Sequence, residues 1–173
     1  MPDVSAEQAF DERQLRDALG RFATGVTIVT ALAADGAPLG MTVNSFAAVS
    51  LQPPLVLWSL SRAAPRHADW LACEHFAIAV LGAEQIELSN RFADPAGEAT
   101  RFDGLDWRPG AGGVPLLPGM RATFECAGEV RHDGGDHTIL IGRVLRLLAA
   151  ASPPAPLLFI DGGYAGVQPL RAG

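Results

Sequence analysis

A long apolar hairpin near the C-terminus constrains the fold of this chain more than any other feature. Two runs rich in apolar and β-branched residues, 122–131 and 138–148, flank the turn sequence Asp133-Gly134-Gly135. Glycine and aspartate between two such runs are typical of a tight turn that reverses the chain. Strands joined by a tight turn must run antiparallel. The sequence therefore predicts a mainly β protein built on an antiparallel sheet.

The rest of the chain supplies more strands and a few helices. We expect strands at 26–32, 39–44, 55–60, 75–81 and 157–160, with Asp35-Gly36 as a second hairpin turn. Amphipathic or capped segments predict helices at 7–22, packed on the sheet, 65–72 and 84–92. The Pro53-Pro54 pair is expected to stop any strand ladder, and 93–119 reads as a surface loop that could act as a lid. No βαβ rhythm or G-x-G-x-x-G motif indicates a Rossmann domain. The expected architecture is one antiparallel barrel with peripheral helices.

Charge and composition exclude several classes of protein. The net charge is −6 and no Lys/Arg cluster occurs, which argues against a nucleic-acid-binding protein. No apolar run approaches the roughly 20 residues that a membrane helix requires. The acidic N-terminus does not resemble a signal peptide. Two isolated cysteines, Cys73 and Cys126, are typical of reduced thiols in a cytoplasmic protein, and the four histidines do not match a zinc spacing. We expect a single domain over 1–173, with 1–6 and 168–173 frayed.

The stretch Gly40 to Phe46 is the strongest candidate for a binding segment. Its polar residues, Thr42, Asn44 and Ser45, are short and neutral, so none acts as a strong acid or base. They offer compact hydrogen-bond donors and acceptors. Such a segment suits a neutral, planar ligand rich in heteroatoms. The alternative is a polar strand end that only leaves the sheet.

This segment has neighbours whose order and spacing resemble a known family. Residues 22–30 precede it, 53–57 follow it, and Gly135-Asp136-His137 lies far downstream. Together they resemble the short-chain flavin reductases, over about 15–164. That resemblance implies an FMN-binding split β-barrel and an NAD(P)H:flavin oxidoreductase. It further implies FMN or FAD as cofactor, NADH or NADPH as hydride donor, a homodimer, and a separate flavin-dependent monooxygenase that receives the reduced flavin.

The resemblance also implies which residues contact the flavin. Four segments match: one at the ring edge, one along the ribityl chain and phosphate, one at a helix end, and one near the C-terminus. The cofactor-binding candidates are Met41, Thr42, Val43, Asn44 and Ser45; Leu60, Ser61, Arg62, Ala63, Ala64, Arg66 and His67; Asn90, Arg91 and Phe92; and His137 and Tyr164. Family members often carry hydroxyl residues where this chain has Ala63 and Ala64. Backbone N–H groups with Arg66 or His67 would then hold the phosphate.

His137 is the candidate catalytic residue. In the family, the histidine of the Gly-Asp-His motif lies near the nicotinamide site. We expect the side chain of the preceding Asp136 to point to the opposite face of the strand, as alternation requires. The alternative is an ordinary polar residue at a hairpin start. Similarly, Arg62, Arg66 and Arg91 could be solvated surface charges, and Tyr164 an aromatic residue at the edge of the core with its hydroxyl in water.

The sequence is also compatible with two other functions, and it bears on the oligomeric state. The same fold could retain its flavin and act on another organic substrate, or bind flavin without catalysis. A homodimer is also expected because the segment 93–119 and the N-terminal helix together offer more apolar surface than one small barrel can cover. The residues concerned are Phe102, Leu105, Trp107, Leu116 and Leu117.

Overall fold

The computed structural model describes residues 9–168. Within this range there are three α-helices: α1 (Glu12–Gly20), α2 (His67–Ala72) and α3 (Ile86–Ala93). The strands are β1 (Thr24–Gly25), β2 (Thr27–Leu32), β3 (Pro38–Val43), β4 (Ala47–Leu51), β5 (Pro54–Ser61), β6 (His75–Val80), β7 (Arg108–Pro109), β8 (Pro115–Leu116), β9 (Ala122–Gly134), β10 (His137–Ala149), β11 (Leu158–Ile160) and β12 (Gly163–Ala165). No helix in this described part of the chain is both long and apolar enough to cross a bilayer.

A single seven-stranded antiparallel sheet forms the body of the molecule. Its order is β3-β2-β6-β9-β10-β5-β4, so β3 and β4 are the two edges. Yet only residues 44–46 separate the end of β3 from the start of β4. Four Cα–Cα steps span at most about 14 Å, so the sheet must curl until its edges approach each other. Among the described residues no ladder joins those edges. The predicted split β-barrel is therefore confirmed, and the split lies at 44–46.

The predicted long hairpin is confirmed as β9 and β10. The two strands pair from His137↔Gly134 to Ala149↔Ala122, with two register shifts. Gly135 lies in the turn with a φ of 77°, a conformation that favours glycine. β10 also pairs with β5, from His137↔Ser61 to Arg143↔Leu55. The hairpin tip is thus fixed beside the end of β5.

The core has two parts because the central strands are buried on both faces. Val29, Ile78 and Trp58 pack inside the barrel, whereas Ile28 and Ala79 belong to a second cluster with Phe92 of α3. Residues 27–31 of β2 are all buried. Burial of both faces explains why this strand does not alternate between apolar and charged residues, and its two threonines, Thr27 and Thr30, are buried as well.

The expected surface loop at 93–119 is mostly irregular and exposed, but its large apolar residues are buried. Phe102, Leu116 and Leu117 are 9%, 3% and 5% exposed, and Leu105 and Trp107 are partly buried. The segment packs on the outer face of β2 and β6 and contains the short β7–β8 pair. Its apolar residues cover the second core cluster, so they do not supply the exposed surface from which we expected a dimer.

The first helix also differs from the expectation. It begins at Glu12 because Asp11 and Gln14 form a reciprocal capping box, and each side chain accepts from the other residue's backbone N–H. The expected first residues, 7 and 8, lie outside the described part, as do 1–6 and 169–173. Leu15, Leu19 and Phe22 are 42%, 65% and 76% exposed. The apolar side chains of this region therefore do not pack on the barrel of the same chain.

Pro53-Pro54 does not stop the ladder. β4 pairs with β5 up to Leu51↔Pro54, so the prolines occupy the hairpin turn and the first position of β5. Proline is tolerated at the first residue of a strand. The sequence-based expectation did not include β4, β12 or the two-residue strands β1, β7 and β8.

Candidate functional site

The ring-edge segment lies at the split of the barrel. Met41, Thr42 and Val43 end β3, and Asn44 and Ser45 begin the crossing to β4. Thr42 Oγ1 donates to the Ser89 carbonyl at 2.7 Å. Asn44 is exposed, and its amide makes no hydrogen bond within the described residues. This amide is therefore available to a ligand.

Ser45 has a structural role in the same segment. Its Oγ accepts from Ser59 N at 2.9 Å and donates to Ser59 O at 3.2 Å. One hydroxyl thus satisfies both backbone groups of a β5 residue across the split. The sequence predicted Ser45 as a ligand contact, but its hydroxyl already bonds to the backbone of Ser59.

Three cavities meet at Thr42 and Asn44. One of about 230 Å³ is lined by Val26, Thr42, Val43, Asn44, Ala93, Phe159 and Tyr164. A second, of about 160 Å³, shares Thr42 and includes Met41, Phe92 and Arg101. A third, of about 670 Å³, shares Asn44 and Phe159 and lies against α1. Apolar walls with a few convergent polar groups are typical of cofactor sites. A flavin, with a flat apolar ring and a polar edge, fits this lining.

Tyr164 closes one side of this region. Its hydroxyl donates toward Ser89 Oγ at 2.8 Å and Asn90 Oδ1 at 2.9 Å. Its ring packs edge-on to Phe159, its partner across β11 and β12, at 5.7 Å between centroids. The hydroxyl is thus held by α3 and is not solely in water. Asn90 and Tyr164, far apart in sequence, are brought together as predicted candidates.

The second segment, Leu60 to Ala64, ends β5 beside the hairpin tip. The Leu60 side chain is fully buried in the barrel, so only its backbone is available to a ligand. The amides of Ala63 and Ala64 bond to Ser61 Oγ at 3.2 Å and Ser61 O at 3.0 Å. These N–H groups, expected to hold a phosphate, already take part in a turn.

Arg62 binds the hairpin tip. Its Nε donates to Gly135 O at 2.8 Å and its Nη2 to Asp133 Oδ1 at 3.0 Å, while its backbone N donates to Asp136 O at 2.9 Å. The Gly135 N–H and then the Arg62 guanidinium hold the pKa of Asp133 below its usual value. Arg62 therefore fixes the turn that precedes His137.

Arg66 is a paired charge. Its Nε donates to Asp69 at 2.7 Å and its Nη2 to Asp35 at 3.0 Å, and the Asp69 hydrogen bond contributes most to raising the pKa of Arg66. Arg66 has a positive φ of 54° and α2 begins only at the next residue, His67. His67 Nε2 lies 3.4 Å from Thr138 Oγ1. Two carboxylates thus already compensate the charge expected to meet the phosphate.

Arg91 is not paired with a carboxylate among the described residues. Its Nη2 donates to the carbonyls of Thr100, at 2.9 Å, and Asp103. Phe92 is 1% exposed and packs edge-on against Phe102 at 5.1 Å. Of the predicted phosphate-binding arginines, Arg91 therefore keeps the least compensated charge.

His137 occupies the first position of β10, with its side chain 42% exposed. Its Nδ1 lies 2.8 Å from Asp136 Oδ1, so the expectation that Asp136 points away is wrong. Asp136 belongs to the turn before the strand, where strand alternation does not apply. The hydrogen bond to His137 holds the pKa of Asp136 below its usual value. His137 adjoins Ser61 but lines none of the three cavities at Thr42 and Asn44.

Three residues at this site were not among the sequence-based candidates. Ser89 accepts hydrogen bonds from Thr42 and Tyr164. Phe159 lines two of the three cavities, and Arg101 lines the remaining one. Ser89 directly precedes the candidate Asn90, so its place in the sequence could have identified it as a site residue. Nothing in the sequence around Phe159 or Arg101 indicates these placements, because they depend on how β11 and the 94–104 segment pack.

Known proteins are similar to this chain in sequence. The family description "Flavin reductase like domain" matches residues 19–168. The chain is 51% identical to FMN reductase (NADH) SmoA of Agrobacterium fabrum, over 89% of this chain and 85% of that protein. It is 41% identical to HsaB, the reductase subunit of a flavin-dependent monooxygenase of Rhodococcus jostii, over 95% and 82%.

A solved structure extends this likeness to three dimensions. The NADH:FAD oxidoreductase SgcE6 of Streptomyces globisporus, in complex with NAD and FAD fragments, superposes with a TM-score of 0.85 at 39% identity. The match covers 94% of this chain and 96% of that one. With the family match over most of its length, the chain belongs to the family of flavin reductase like domains.

Proposed function

We propose that this chain is an NAD(P)H:flavin oxidoreductase that reduces FMN or FAD with NADH or NADPH. The observation that carries the proposal is the free amide of Asn44 at the split of the barrel, beside the cavity lined by Phe159 and Tyr164. The 51% identity to an FMN reductase that uses NADH supports the same activity. These residues match what a flavin needs: hydrogen bonds at the ring edge and an apolar wall.

The chain's own residues bind, orient and exclude water. A bound flavin supplies the hydride-accepting chemistry. Asn44 would hydrogen-bond the ring edge, and Val43 would do so through its backbone. Thr42 holds the segment to α3 through Ser89 O. Phe159 and Tyr164 would cover the apolar ring.

His137 is proposed to position the nicotinamide rather than to act first as an acid. Its ring is oriented through Nδ1 by Asp136, which leaves Nε2 as the atom available to a ligand. Arg62 fixes the turn on which both residues lie. The positioning role follows because a correctly oriented imidazole can hydrogen-bond a carboxamide without a change in its charge.

The flavin phosphate is proposed to be held weakly. Arg66 already lies between two carboxylates, and the amides of Ala63 and Ala64 bond within their own turn. Arg91, which has only carbonyl partners, is the better placed cation for this role. Weak phosphate binding agrees with a protein that releases reduced flavin.

The proposed partners are a second copy of this chain and a separate flavin-dependent monooxygenase, in the cytoplasm. The name of the HsaB relative supports the monooxygenase. For the homodimer, the exposed side chains of Leu15, Leu19 and Phe22 offer an apolar face that the single chain leaves uncovered. The dimer therefore rests on α1 rather than on the 93–119 segment.

The test is a steady-state assay of NADH and NADPH oxidation with added FMN, FAD or riboflavin. We expect turnover with a free flavin, and protein that loses flavin on gel filtration and regains activity when it is added back. No oxidation with any flavin would favour a non-catalytic flavin-binding protein. Flavin that stays bound through turnover would favour an enzyme that acts on another organic substrate.

A further inference from the structure

We propose that Arg101 is a positioning residue that fixes the ring-edge segment from its buried side. This role rests on the proposed flavin site at Thr42 to Asn44. Arg101 belongs to the packed segment between α3 and β7, and it is only 5% exposed. A charged side chain is rarely buried to this extent without a specific set of partners.

The partners of Arg101 come from the two elements that build the site. Its Nη1 donates to the carbonyls of Gly40 in β3 and, at 3.3 Å, Phe92 in α3. Its Nη2 donates to the carbonyl of Asp94, just past α3, at 3.0 Å. One planar guanidinium thus holds β3 to the C-terminal end of α3, one residue before Met41 begins the ring-edge segment.

A close approach at Gly40 complements this hydrogen bond. A Cβ atom on Gly40 would overlap the ring of Phe92 and lie 2.8 Å from Phe102 Cζ. The backbone of β3 therefore rests directly on the two aromatic rings while Arg101 binds its carbonyl. Thr42, two residues later, bonds to Ser89 O on the same helix. The segment is thus restrained at Gly40 and again at Thr42.

The electrostatic setting argues against a role in stability alone. Among the described residues the guanidinium bonds only to carbonyls and forms no salt bridge. Burial is the main cause that lowers the pKa of Arg101, and the charges of Glu98 and Asp94 oppose it. Burying a cation against carbonyls without an ion pair is costly. Arginine offers a rigid planar fork of donors that reaches carbonyls on separate elements, whereas the ammonium of lysine concentrates its three donors on one atom. The geometry points to alignment of the backbone as its purpose.

The test compares Arg101→Met and Arg101→Lys with Arg131→Met. Arg131, which is exposed, is the control for loss of a guanidinium that binds a backbone carbonyl, because its Nη2 donates to that of Cys73 at 2.8 Å, away from the ring-edge segment. For each folded protein we would measure the flavin Kd by fluorescence quenching, kcat and KM, and amide hydrogen exchange of residues 41–45 without flavin. We expect Arg101→Met to raise the flavin Kd about tenfold or more and to speed exchange at 41–45, Arg101→Lys to lie between, and Arg131→Met to change neither.

The outcomes separate positioning from folding. A purely structural role would reduce the fraction of active protein and kcat. It would leave the flavin Kd of the folded molecules and the amide exchange at 41–45 unchanged, and that result would overturn the proposal. If Arg101→Met is insoluble, Arg101→Lys decides: a Kd raised at least threefold supports positioning, and the parent Kd overturns it. Failure of the flavin site itself is recognised separately, because Asn44→Ala would then leave the flavin Kd unchanged.

Discussion

The hydroxyl of Tyr164 donates to Ser89 Oγ at 2.8 Å, which ties the C-terminal hairpin to α3. The carbonyl of the same serine accepts from Thr42 Oγ1 at 2.7 Å. Ser89 is fully buried, so water does not compete at either bond. One residue of α3 therefore links β3 and β12, the two strands that border the proposed flavin cavity.

Tyr164→Phe should weaken flavin binding by roughly two- to tenfold, the range expected for loss of one hydrogen bond worth about 0.5–1.5 kcal/mol. The ring and its contact with Phe159 remain, so the fold should persist. Flavin titration by fluorescence quenching measures the effect. Thr30→Val is the control, because Thr30 Oγ1 also makes a buried bond, to Pro115 O at 2.6 Å, away from the cavity. Equal flavin affinity for Tyr164→Phe and the parent would show that β12 does not shape the site.

Asn44→Ala should raise the flavin Kd by roughly fivefold or more, because the ring-edge groups of the ligand would lose a partner worth about 1–3 kcal/mol. The melting temperature should stay the same, since the exposed amide bonds no other described residue. Gln52→Ala, in the exposed turn between β4 and β5, is the matched control. If both variants bind flavin like the parent, the ring lies elsewhere.

Sequence patterns predicted the fold well because its strands are joined by local turns. Asp133-Gly134-Gly135 and Asp35-Gly36 marked their hairpins correctly. The patterns failed where tertiary packing decides. The loop at 93–119 contains many turn residues, yet Phe102 and Leu116 are buried because they cover the outer face of β2 and β6.

The candidate site was predictable at its ring-edge segment and less so elsewhere. Short polar residues in a row predicted hydrogen-bonding groups at Thr42 and Asn44. The Asn44 amide is free among the described residues, whereas Thr42 Oγ1 donates to Ser89 O, and flavin contact stays a prediction. Sequence gave no sign that Asp35 and Asp69 would pair with Arg66, because one of these ion pairs spans distant parts of the chain. Arg101 was overlooked for the same reason, since its three carbonyl partners come from β3 and the end of α3.

Leu19→Asp should convert a dimer to a monomer if α1 forms the interface. Leu19 is 65% exposed and Phe22 beside it 76%, so a carboxylate there costs the single chain little but would be desolvated between two chains. Light scattering should give twice the 18.1 kDa chain mass for the parent and one chain mass for the variant. Leu147→Asp, at 59% exposure on β10, is the control. A monomeric parent would refute the dimer, and dissociation by the control alone would move the interface to β10.

The two cysteines should resist alkylation in the folded protein. Cys73 and Cys126 are free and buried, and burial raises the pKa of both thiols, that of Cys126 to about 12. Because only thiolates react quickly, iodoacetamide at pH 8 should label both only after denaturant is added. Above pH 9.0, the ordinary pKa of the thiol, the folded state retains the Cys126 proton, whereas the unfolded chain releases it. The free energy of unfolding should therefore fall as pH rises from about 9 toward 12. Rapid labelling of native protein would contradict this burial.

The last prediction concerns His137 and the carboxylate that orients it. Hydride transfer requires reacting atoms within about 3–3.5 Å, so the nicotinamide must be held firmly. His137→Ala should leave flavin affinity nearly intact, raise KM for the nicotinamide cofactor, and slow flavin reduction by roughly tenfold or more. His137→Asn should recover part of the loss, because it keeps a neutral hydrogen-bonding group.

Asp136→Asn tests the orientation itself. It keeps the shape of the partner 2.8 Å from Nδ1 but removes its charge, so we expect a smaller rise in KM than for His137→Ala. Glu74→Gln, an exposed carboxylate between α2 and β6 that lines none of the three cavities, is the control for a change in surface charge. Stopped-flow reduction of bound flavin by NADH separates the chemical step from flavin release. If His137→Ala reduces flavin at the parent rate with unchanged KM, His137 is an ordinary hairpin residue, and the nicotinamide binds away from the β9–β10 turn.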